Sequence, residues 1–216
     1  MKKVVSILLL AVFMMVAVVG CANTKSDEGQ SAEGDIKIHV GITEPITGAQ
    51  ASLGQAEYDG FQMAVEMINE KGGVMGKYPI TYDFADSQSD PAVGASEAER
   101  LITSKNVPVI MGSYSSAIAA AISEVCERNK VVLWEMSGAA DSLLVKGYKW
   151  SFRSEANASA WGSESVEFLM GNDAQIQEKL GKSAKDLRVA IVHEDGPYGT
   201  AVADGNEATA KKYGMN

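Results

Sequence analysis

Apolar residues recur along the chain with two alternating spacings, and these spacings predict strands and helices in turn. Short runs rich in β-branched residues are typical of buried strands. The longer segments between them place apolar residues three and four positions apart, as one face of a helix does. The predicted strands are 36–43, 78–86, 107–112, 131–135, 149–157 and 187–195. Helices are predicted at 53–71, 92–104, 157–170 and 198–213, with another directly after residue 116.

Strands that alternate with helices at these lengths predict an α/β protein with a parallel sheet and helices on both faces. We expect a domain boundary near residue 155, with an N-terminal α/β lobe at 35–155 and the start of a second α/β lobe at 156–216. The second segment holds one predicted strand between two helices, which is too little to enclose a hydrophobic core. We therefore expect the second lobe to be incomplete here and the chain to be a fragment that lacks a C-terminal portion.

The first residues have the pattern of an exported protein. Met1-Lys2-Lys3 is positively charged, and the apolar run at 4–19 is shorter than the roughly 20 residues of a membrane-spanning helix. The segment Val18-Val19-Gly20-Cys21 is similar to the bacterial lipobox, after which Cys21 would carry lipid. An ordinary signal peptide with an incidental cysteine is the alternative. We predict a lipoprotein signal peptide at 1–20 and an exported protein anchored to the bacterial membrane by lipid.

Residues 21–34 are small and polar with no apolar periodicity, so they predict a flexible tether. The other cysteine, Cys126, has no partner once Cys21 carries lipid, and no disulfide is expected. Cys126 falls in the apolar pattern of Ile122 and Val125, which predicts a small buried residue on a helix.

Charge and composition narrow the class of partner. Of 216 residues, 46% are hydrophobic and 22% are charged, and the net charge is −9. Because no basic stripe is available to neutralise phosphates, we expect no nucleic-acid partner. The two histidines, His39 and His193, lack the spacing of a zinc site, and Gly72–Lys77 lacks the spacing of a phosphate loop. We predict no metal, no cofactor and no enzymatic activity.

Three serines and a tyrosine, at 113–116, lie between the predicted strand 107–112 and an alanine-rich helix. The first turn of a helix has N–H groups without partners and the positive end of the macrodipole, so it attracts carboxylates. Helix capping by Ser115 or Ser116 is the alternative, but it does not account for the tyrosine. We predict that Tyr114, Ser115 and Ser116 bind a small polar ligand.

The next predicted strand, 131–135, ends in a second polar segment, Ser137-Gly138-Ala139-Ala140-Asp141. Ligands of open α/β sheets collect at the carboxyl ends of strands. If the two strands are neighbours, then Ser116, Ser137 and the amides of Gly138 and Ala139 converge on one small ligand.

The chain resembles a known family in four segments. It is similar to the periplasmic-type solute-binding lipoproteins of branched-chain amino acid, amide and urea transporters. The segments that carry the resemblance stand in family order: GITEPITGAQASLGQAEYDGFQMAVEMINEKGGVMG, GSYSS, SGAADSLLVKGYKWSFR and RVAIVHEDGPYGTAV. The resemblance covers nearly everything after the tether. It implies the two-lobed type I periplasmic-binding-protein (Venus-flytrap) fold, in which two hinged lobes close on a ligand.

The resemblance also implies roles for single positions. Ser116 matches a serine that holds a ligand carboxylate or amide oxygen, and Tyr114 matches a tyrosine of amide-binding relatives. Ser137 matches a residue whose backbone carbonyl receives a ligand nitrogen. Ala139 matches a position that offers a backbone N–H, and Tyr198 matches a second-lobe aromatic residue that closes over the ligand.

Two positions depart from the branched-chain amino acid binders of this family. Ala139 lacks the threonine hydroxyl that is usual there, and Leu53 stands where those proteins carry a tyrosine. The ligand class therefore stays open between amino acids, amides and small carboxylates. Glu135 is a further candidate, because a buried carboxylate must be paired or neutral. It could meet a cationic ligand, but a glutamate that faces outward into solvent is the commoner case, and we expect that arrangement.

We expect a monomeric extracytoplasmic binding protein that delivers a small polar ligand to the permease subunits of an ABC importer. A ligand-binding ectodomain of a sensor or receptor with the same fold is the alternative. A transcriptional repressor of related fold is disfavoured by the export signal.

Overall fold

The computed structural model describes residues 36–215. The predicted signal peptide at 1–20, the tether at 21–34 and the lipidation site at Cys21 lie outside the described residues. Within the described part, no helix combines the length and the apolar character that crossing a bilayer requires.

Five strands and six α-helices follow one another along the described chain. The strands are β1 (Ile38–Glu44), β2 (Ile80–Asp86), β3 (Val109–Gly112), β4 (Val132–Glu135) and β5 (Ser151–Arg153). The helices are α1 (Ala51–Glu70), α2 (Pro91–Lys105), α3 (Ser116–Asn129), α4 (Ala158–Gly171), α5 (Asp173–Leu180) and α6 (Pro197–Lys212). Two short 3₁₀ turns lie at Asp141–Leu143 and Ala184–Asp186.

The five strands form one parallel sheet in the order β2-β1-β3-β4-β5, which confirms the predicted α/β class. Ile42 of β1 lies opposite Phe84 of β2 and Met111 of β3, and Ile110 of β3 lies opposite Leu133 of β4. The direction of the strand order reverses between β1 and β3. This reversal opens a crevice at the carboxyl ends of the strands, where ligands of such sheets bind.

Alternate residues of the central strands enter two hydrophobic clusters, one on each face of the sheet. Ile110 packs with α2 and α3 through residues such as Leu101 and Ile122. Met111 packs toward the cluster that contains Phe61 of α1. The sheet is therefore covered by helices on both sides, as the period-two pattern of its strands requires. Cys126 is a buried free thiol in the first cluster, which confirms the prediction for that residue.

The predicted strand at 187–195 does not form, and this part of the sequence interpretation was wrong. Those residues carry no strand pairing, and Val189, Ile191 and Val192 are 54%, 43% and 95% exposed. Their alternating pattern suits a strand, but a strand forms only where a neighbour pairs with its backbone N–H and C=O groups. Among the described residues no second strand lies beside this segment.

The segment after β5 is held together by two helices that approach each other closely. A β-carbon added at Gly162 of α4 would lie 2.1 Å from the carbonyl oxygen of Val202 in α6. A β-carbon at Gly205 of α6 would lie 2.0 Å from the carbonyl oxygen of Ser159. Only glycine at these two positions allows the backbones to come so near, and this contact fixes α6 against α4.

Helix capping in this fold differs between α2 and α3. The carboxylate of Asp90 accepts the N–H groups of Ala92 at 2.7 Å and Val93 at 3.0 Å, with Pro91 at the first helical position. Ser115 holds the equivalent position before α3 but makes no side-chain cap hydrogen bond. The interpretation of residues 113–116, the serine corner, as a helix cap is therefore wrong for Ser115.

We expect Asp90→Ala to lower the free energy of unfolding by about 1 kcal/mol, because two N–H groups at the start of α2 lose their acceptor. Ser115→Ala is the matched control, and it should change the free energy of unfolding by less than about 0.5 kcal/mol. Urea unfolding followed by circular dichroism measures both variants. Equal losses in the two proteins would contradict this account of the caps.

Candidate ligand-binding site

The candidate site lies at the carboxyl ends of β3 and β4, where two loops face one another. The loop after β3 begins at Gly112, whose φ is +113°. A β-carbon at Gly112 would lie 2.2 Å from the carbonyl oxygen of Thr43, so β1 and this loop can be neighbours only with glycine there. The turn directs residues 113–116 toward the crevice between the strands.

A buried carboxyl group from β1 and another from β4 hold the first loop by its backbone. The N–H of Ser113 donates to Oε2 of Glu135 at 3.0 Å, and the N–H of Tyr114 donates to Oε2 of Glu44 at 3.0 Å. The hydroxyl of Ser113 donates to the carbonyl of Ser115 at 3.2 Å. Glu44 and Glu135 therefore hold the backbone of residues 113 and 114, and the side chains of 114–116 remain available for other contacts.

Glu135 holds the second loop as well. Its Oε1 accepts the N–H groups of Ser137 at 3.0 Å and Gly138 at 2.7 Å. Glu135 is only 3% exposed, so the expectation of an outward, solvated glutamate was wrong. Its oxygens are occupied by three backbone N–H groups from the two loops, which makes Glu135 a structural anchor for both.

The two loops are also joined directly through Ser116. Its hydroxyl oxygen accepts the N–H of Ala140 at 3.1 Å, which links the first turn of α3 to the loop after β4. A serine hydroxyl has a second lone pair and a proton besides this bond. Ser116 can therefore join the loops and still donate to a ligand.

A third glutamate reaches this region from α1. The hydroxyl of Ser137 donates to Oε1 of Glu57 in a short contact. The hydroxyl of Ser137 is thereby oriented by a carboxyl group that the sequence analysis did not single out.

A cavity of about 210 Å³ opens between these loops and the α4–α6 pair. Its lining residues are Gln50, Tyr114, Ser115, Ser116, Ser137, Glu155, Trp161, Glu194 and Tyr198. Five of the six predicted ligand-binding residues are thus brought together, although Tyr114 lies in the loop after β3 and Tyr198 lies in α6.

The sixth predicted residue, Ala139, does not line the cavity. It is fully buried, and its carbonyl accepts the N–H of Ala158 at 2.8 Å, so it ties the loop after β4 to the start of α4. Leu53, at the other departure from the family pattern, is 53% exposed and is likewise absent from the cavity lining.

An aromatic pair forms the wall opposite the serines. The ring centroids of Trp161 and Tyr198 lie 5.9 Å apart at 71°, an edge-to-face arrangement. Both rings are partly exposed, at 37% and 38%. A ligand in the cavity would therefore have polar donors on the sheet side and aromatic surface on the other.

Four lining residues were missed by the sequence analysis. Trp161 and Glu155 flank the start of α4, Glu194 precedes α6, and Gln50 precedes α1. No motif distinguishes them in one sequence, because they meet only when the α4–α6 pair faces the sheet. Within the described chain the side-chain oxygen of Gln50 is buried without a hydrogen-bond partner.

The carboxyl groups beneath the cavity have strongly perturbed acidities. Burial raises the pKa of Glu44 to about 10, the negative charges of Glu57 and Glu135 add to the rise, and the Tyr114 N–H opposes it. Burial likewise raises the pKa of Glu135 to about 8, and its three N–H donors oppose the rise. Burial and the charge of Glu57 raise the pKa of the Tyr114 hydroxyl, which keeps it a hydrogen-bond donor at neutral pH.

The chain is similar in sequence to a known protein family. The family described as "Periplasmic binding protein" matches residues 37–216. The "Leu/Ile/Val-binding protein homolog 7" of Brucella abortus is 37% identical over 185 residues, which cover 86% of this chain and 45% of the relative. Homolog 8 of the same organism is 35% identical over 185 residues, 86% of this chain and 44% of the relative. The chain thus spans less than half the length of these curated relatives.

Solved structures show the same fold. The branched-chain amino acid transporter substrate-binding protein LivJ of Streptococcus pneumoniae, in complex with isoleucine, superposes with a TM-score of 0.67 at 27% identity, over 80% of this chain and 46% of that one. The leucine-binding protein LivK of Thermotoga maritima superposes with a TM-score of 0.66 at 23% identity, over 82% of this chain and 47% of that one. From its parallel sheet, the site at the strand ends and the match over residues 37–216, the chain belongs to the periplasmic binding protein family.

Proposed function

We propose that this protein is the extracytoplasmic substrate-binding component of an ABC importer, and that it captures a small polar ligand in the cavity beside Ser116. The observation that carries the proposal is the convergence of Tyr114, Ser115, Ser116 and Ser137 with Tyr198 on one cavity of about 210 Å³. The similarity to Leu/Ile/Val-binding protein homologues supports the transport context.

The cavity suits a small ligand with an acceptor group at one end. At the start of α3, the first N–H groups have no intrahelical partner, and they add to the hydroxyls of Ser115 and Ser116 as donors for a carboxylate or amide oxygen. The lining also includes the carboxyl groups of Glu155 and Glu194 and no Lys or Arg. This balance favours amino acids and amides over ligands that carry only negative charge. The isoleucine bound to the streptococcal protein is of this class.

Binding follows from this arrangement without any bond being made or broken in the ligand. The serine corner and Ser137 receive the polar end of the ligand, and Trp161 and Tyr198 cover its other side. We propose that residues 35–155 and 156–216 belong to two lobes that close by a hinge motion, as hinged two-lobed binders do. Closure would remove the ligand from water and create the surface that a permease recognises.

Membrane attachment forms part of the same proposal. The lipobox-like segment before Cys21 and the polar residues at 21–34 support a lipid anchor followed by a tether. Such an anchor would keep a monomeric binding protein at the cell surface or at the periplasmic face of a bacterial membrane, close to permease subunits.

Isothermal titration calorimetry against L-leucine, L-isoleucine, acetamide, urea and 4-hydroxybenzoate tests the proposed function. We expect saturable binding of at least one amino acid or amide, and no turnover of the bound compound. Absence of binding by every compound would contradict the proposal. Conversion of a bound compound into a product would contradict the non-enzymatic role.

Ser116→Ala should weaken the binding of the best ligand of that panel by about 1–3 kcal/mol, because a buried ligand atom loses its hydrogen-bond donor. Ser123→Ala is the matched control: Ser123 is a buried serine of the same helix, and its hydroxyl donates to the carbonyl of Ala120 at 2.7 Å. Calorimetry and urea unfolding are measured on both. Loss of stability with unchanged affinity in Ser116→Ala would restrict Ser116 to joining the two loops.

A further inference from the structure

Two carboxyl groups that belong to different elements meet beneath the serine corner. Glu44 is the last residue of β1, and Glu57 lies in the second turn of α1. Glu44 is fully buried. Burial first, and then the nearby carboxyl group of Glu57, raise the pKa of Glu44.

Each carboxyl group uses one oxygen to hold a lining residue of the cavity. Oε2 of Glu44 accepts the N–H of Tyr114 at 3.0 Å, and Oε1 of Glu57 accepts the hydroxyl of Ser137. The remaining oxygens, Oε1 of Glu44 and Oε2 of Glu57, are buried, and no donor of the described residues reaches them.

Two ionised carboxylates cannot satisfy one another, since each offers only acceptors and both are negatively charged. A hydrogen bond between them requires a proton on one of the two. One proton removes a negative charge, supplies the missing donor and leaves an oxygen on each residue for Tyr114 and Ser137. Two carboxyl groups hold one proton in the same way in the active sites of aspartic proteases.

We propose that Glu44 and Glu57 share one proton, and that this proton positions Tyr114 and Ser137 for ligand binding. Both glutamates are positioning residues and do not contact the ligand themselves. The positioning role rests on the proposed function. The shared proton does not, because it is a property of the fold whether or not a ligand binds.

Most influences on the pair raise the pKa of Glu44. Burial is the largest, and the charge of Glu135 acts in the same sense once that carboxyl group is ionised, so both hold the proton on Glu44. The N–H of Tyr114 is the opposing influence. On the cavity side, burial and the charge of Glu57 raise the pKa of the Tyr114 hydroxyl. The charges of Tyr198 and Glu194, from the α6 region, act in the same direction.

The proton on Glu44 makes folding stability depend on pH. The folded protein keeps a proton on Glu44 up to about pH 10, whereas an unfolded chain loses it near the ordinary value of 4.5. This group therefore binds more protons in the folded state across this interval, so its contribution to stability falls as the pH rises from about 5 toward 10. Above that interval the shared proton is lost, and the hydrogen bond that it makes between the two carboxyl groups is lost with it.

Glu44→Gln is the decisive variant, because the amide replaces the protonated carboxyl group and supplies its donor permanently. The ratio of its folding equilibrium constant to that of the wild type should increase with pH between 5 and 9, by up to about tenfold per pH unit. Glu178→Gln, at an exposed glutamate of α5, is the control and should give a ratio that does not change with pH. Glu57→Gln is the second variant and replaces the other carboxyl group of the pair. The folding equilibrium constant of this variant should change less with pH than that of the wild type.

Calorimetry with L-isoleucine between pH 8 and 10.5 separates positioning from mere stability. The ratio of the wild-type dissociation constant to that of Glu44→Gln should rise about fourfold over this range, because only the wild type loses the shared proton. Titration of the ligand's own ammonium group affects both proteins and cancels in the ratio.

A stability ratio that is flat with pH would overturn the shared proton. A sloping stability ratio with a flat affinity ratio would overturn the positioning role. Stability that depends on added Na⁺ or Ca²⁺ at constant ionic strength would replace the proton by a metal cation and also overturn the proposal. Failure of both proteins to bind any compound of the panel would contradict the proposed function, while the stability ratio still decides the question of the proton.

Discussion

The carboxyl group of Glu135 fixes both loops of the cavity at once, and the rest of the site depends on it. It lies at the end of a central strand, is 3% exposed, and accepts N–H groups from Ser113, Ser137 and Gly138. Removing a carboxylate from water is costly unless its lone pairs are occupied. The energetic demand of this one buried group therefore requires the loops after β3 and β4 to adopt these backbone conformations.

The strand order brings the loops that Glu135 holds to the edge of the sheet where ligands bind. Because the order reverses between β1 and β3, the crevice at the carboxyl ends lies beside the first turn of α3. Glu44 and Glu135 accept the backbone N–H groups of Ser113 and Tyr114, so Tyr114, Ser115 and Ser116 can line the cavity beside the start of α3. Glu57 orients Ser137 from a third element. A set of buried acids thus supports a set of neutral donors, which is a suitable lining for a small polar ligand.

Much of the sheet and part of the site could be predicted from the sequence, because both depend on local patterns. Apolar runs separated by helical segments predicted a parallel sheet, and the polar residues that follow two of those runs predicted where a cavity would lie. The segment 187–195 failed because periodicity reports which side chains can be buried, and it does not report whether a neighbouring strand exists. Glu135 was misjudged because burial of a charged residue depends on donors from distant loops. Trp161 and Glu155 could not be predicted, since only the packing of α4 against α6 brings them to the sheet.

Hydrogen exchange measured by mass spectrometry, with and without a saturating compound from the binding panel, shows whether a ligand binds between the two loops. A bound ligand should slow amide exchange in peptides covering residues 113–118 and 137–140, and in the peptide that contains Tyr198. The exposed segment 187–193 should change little by comparison. Protection confined to other parts of the chain, with unchanged exchange at both loops, would contradict the assignment of the ligand to this cavity.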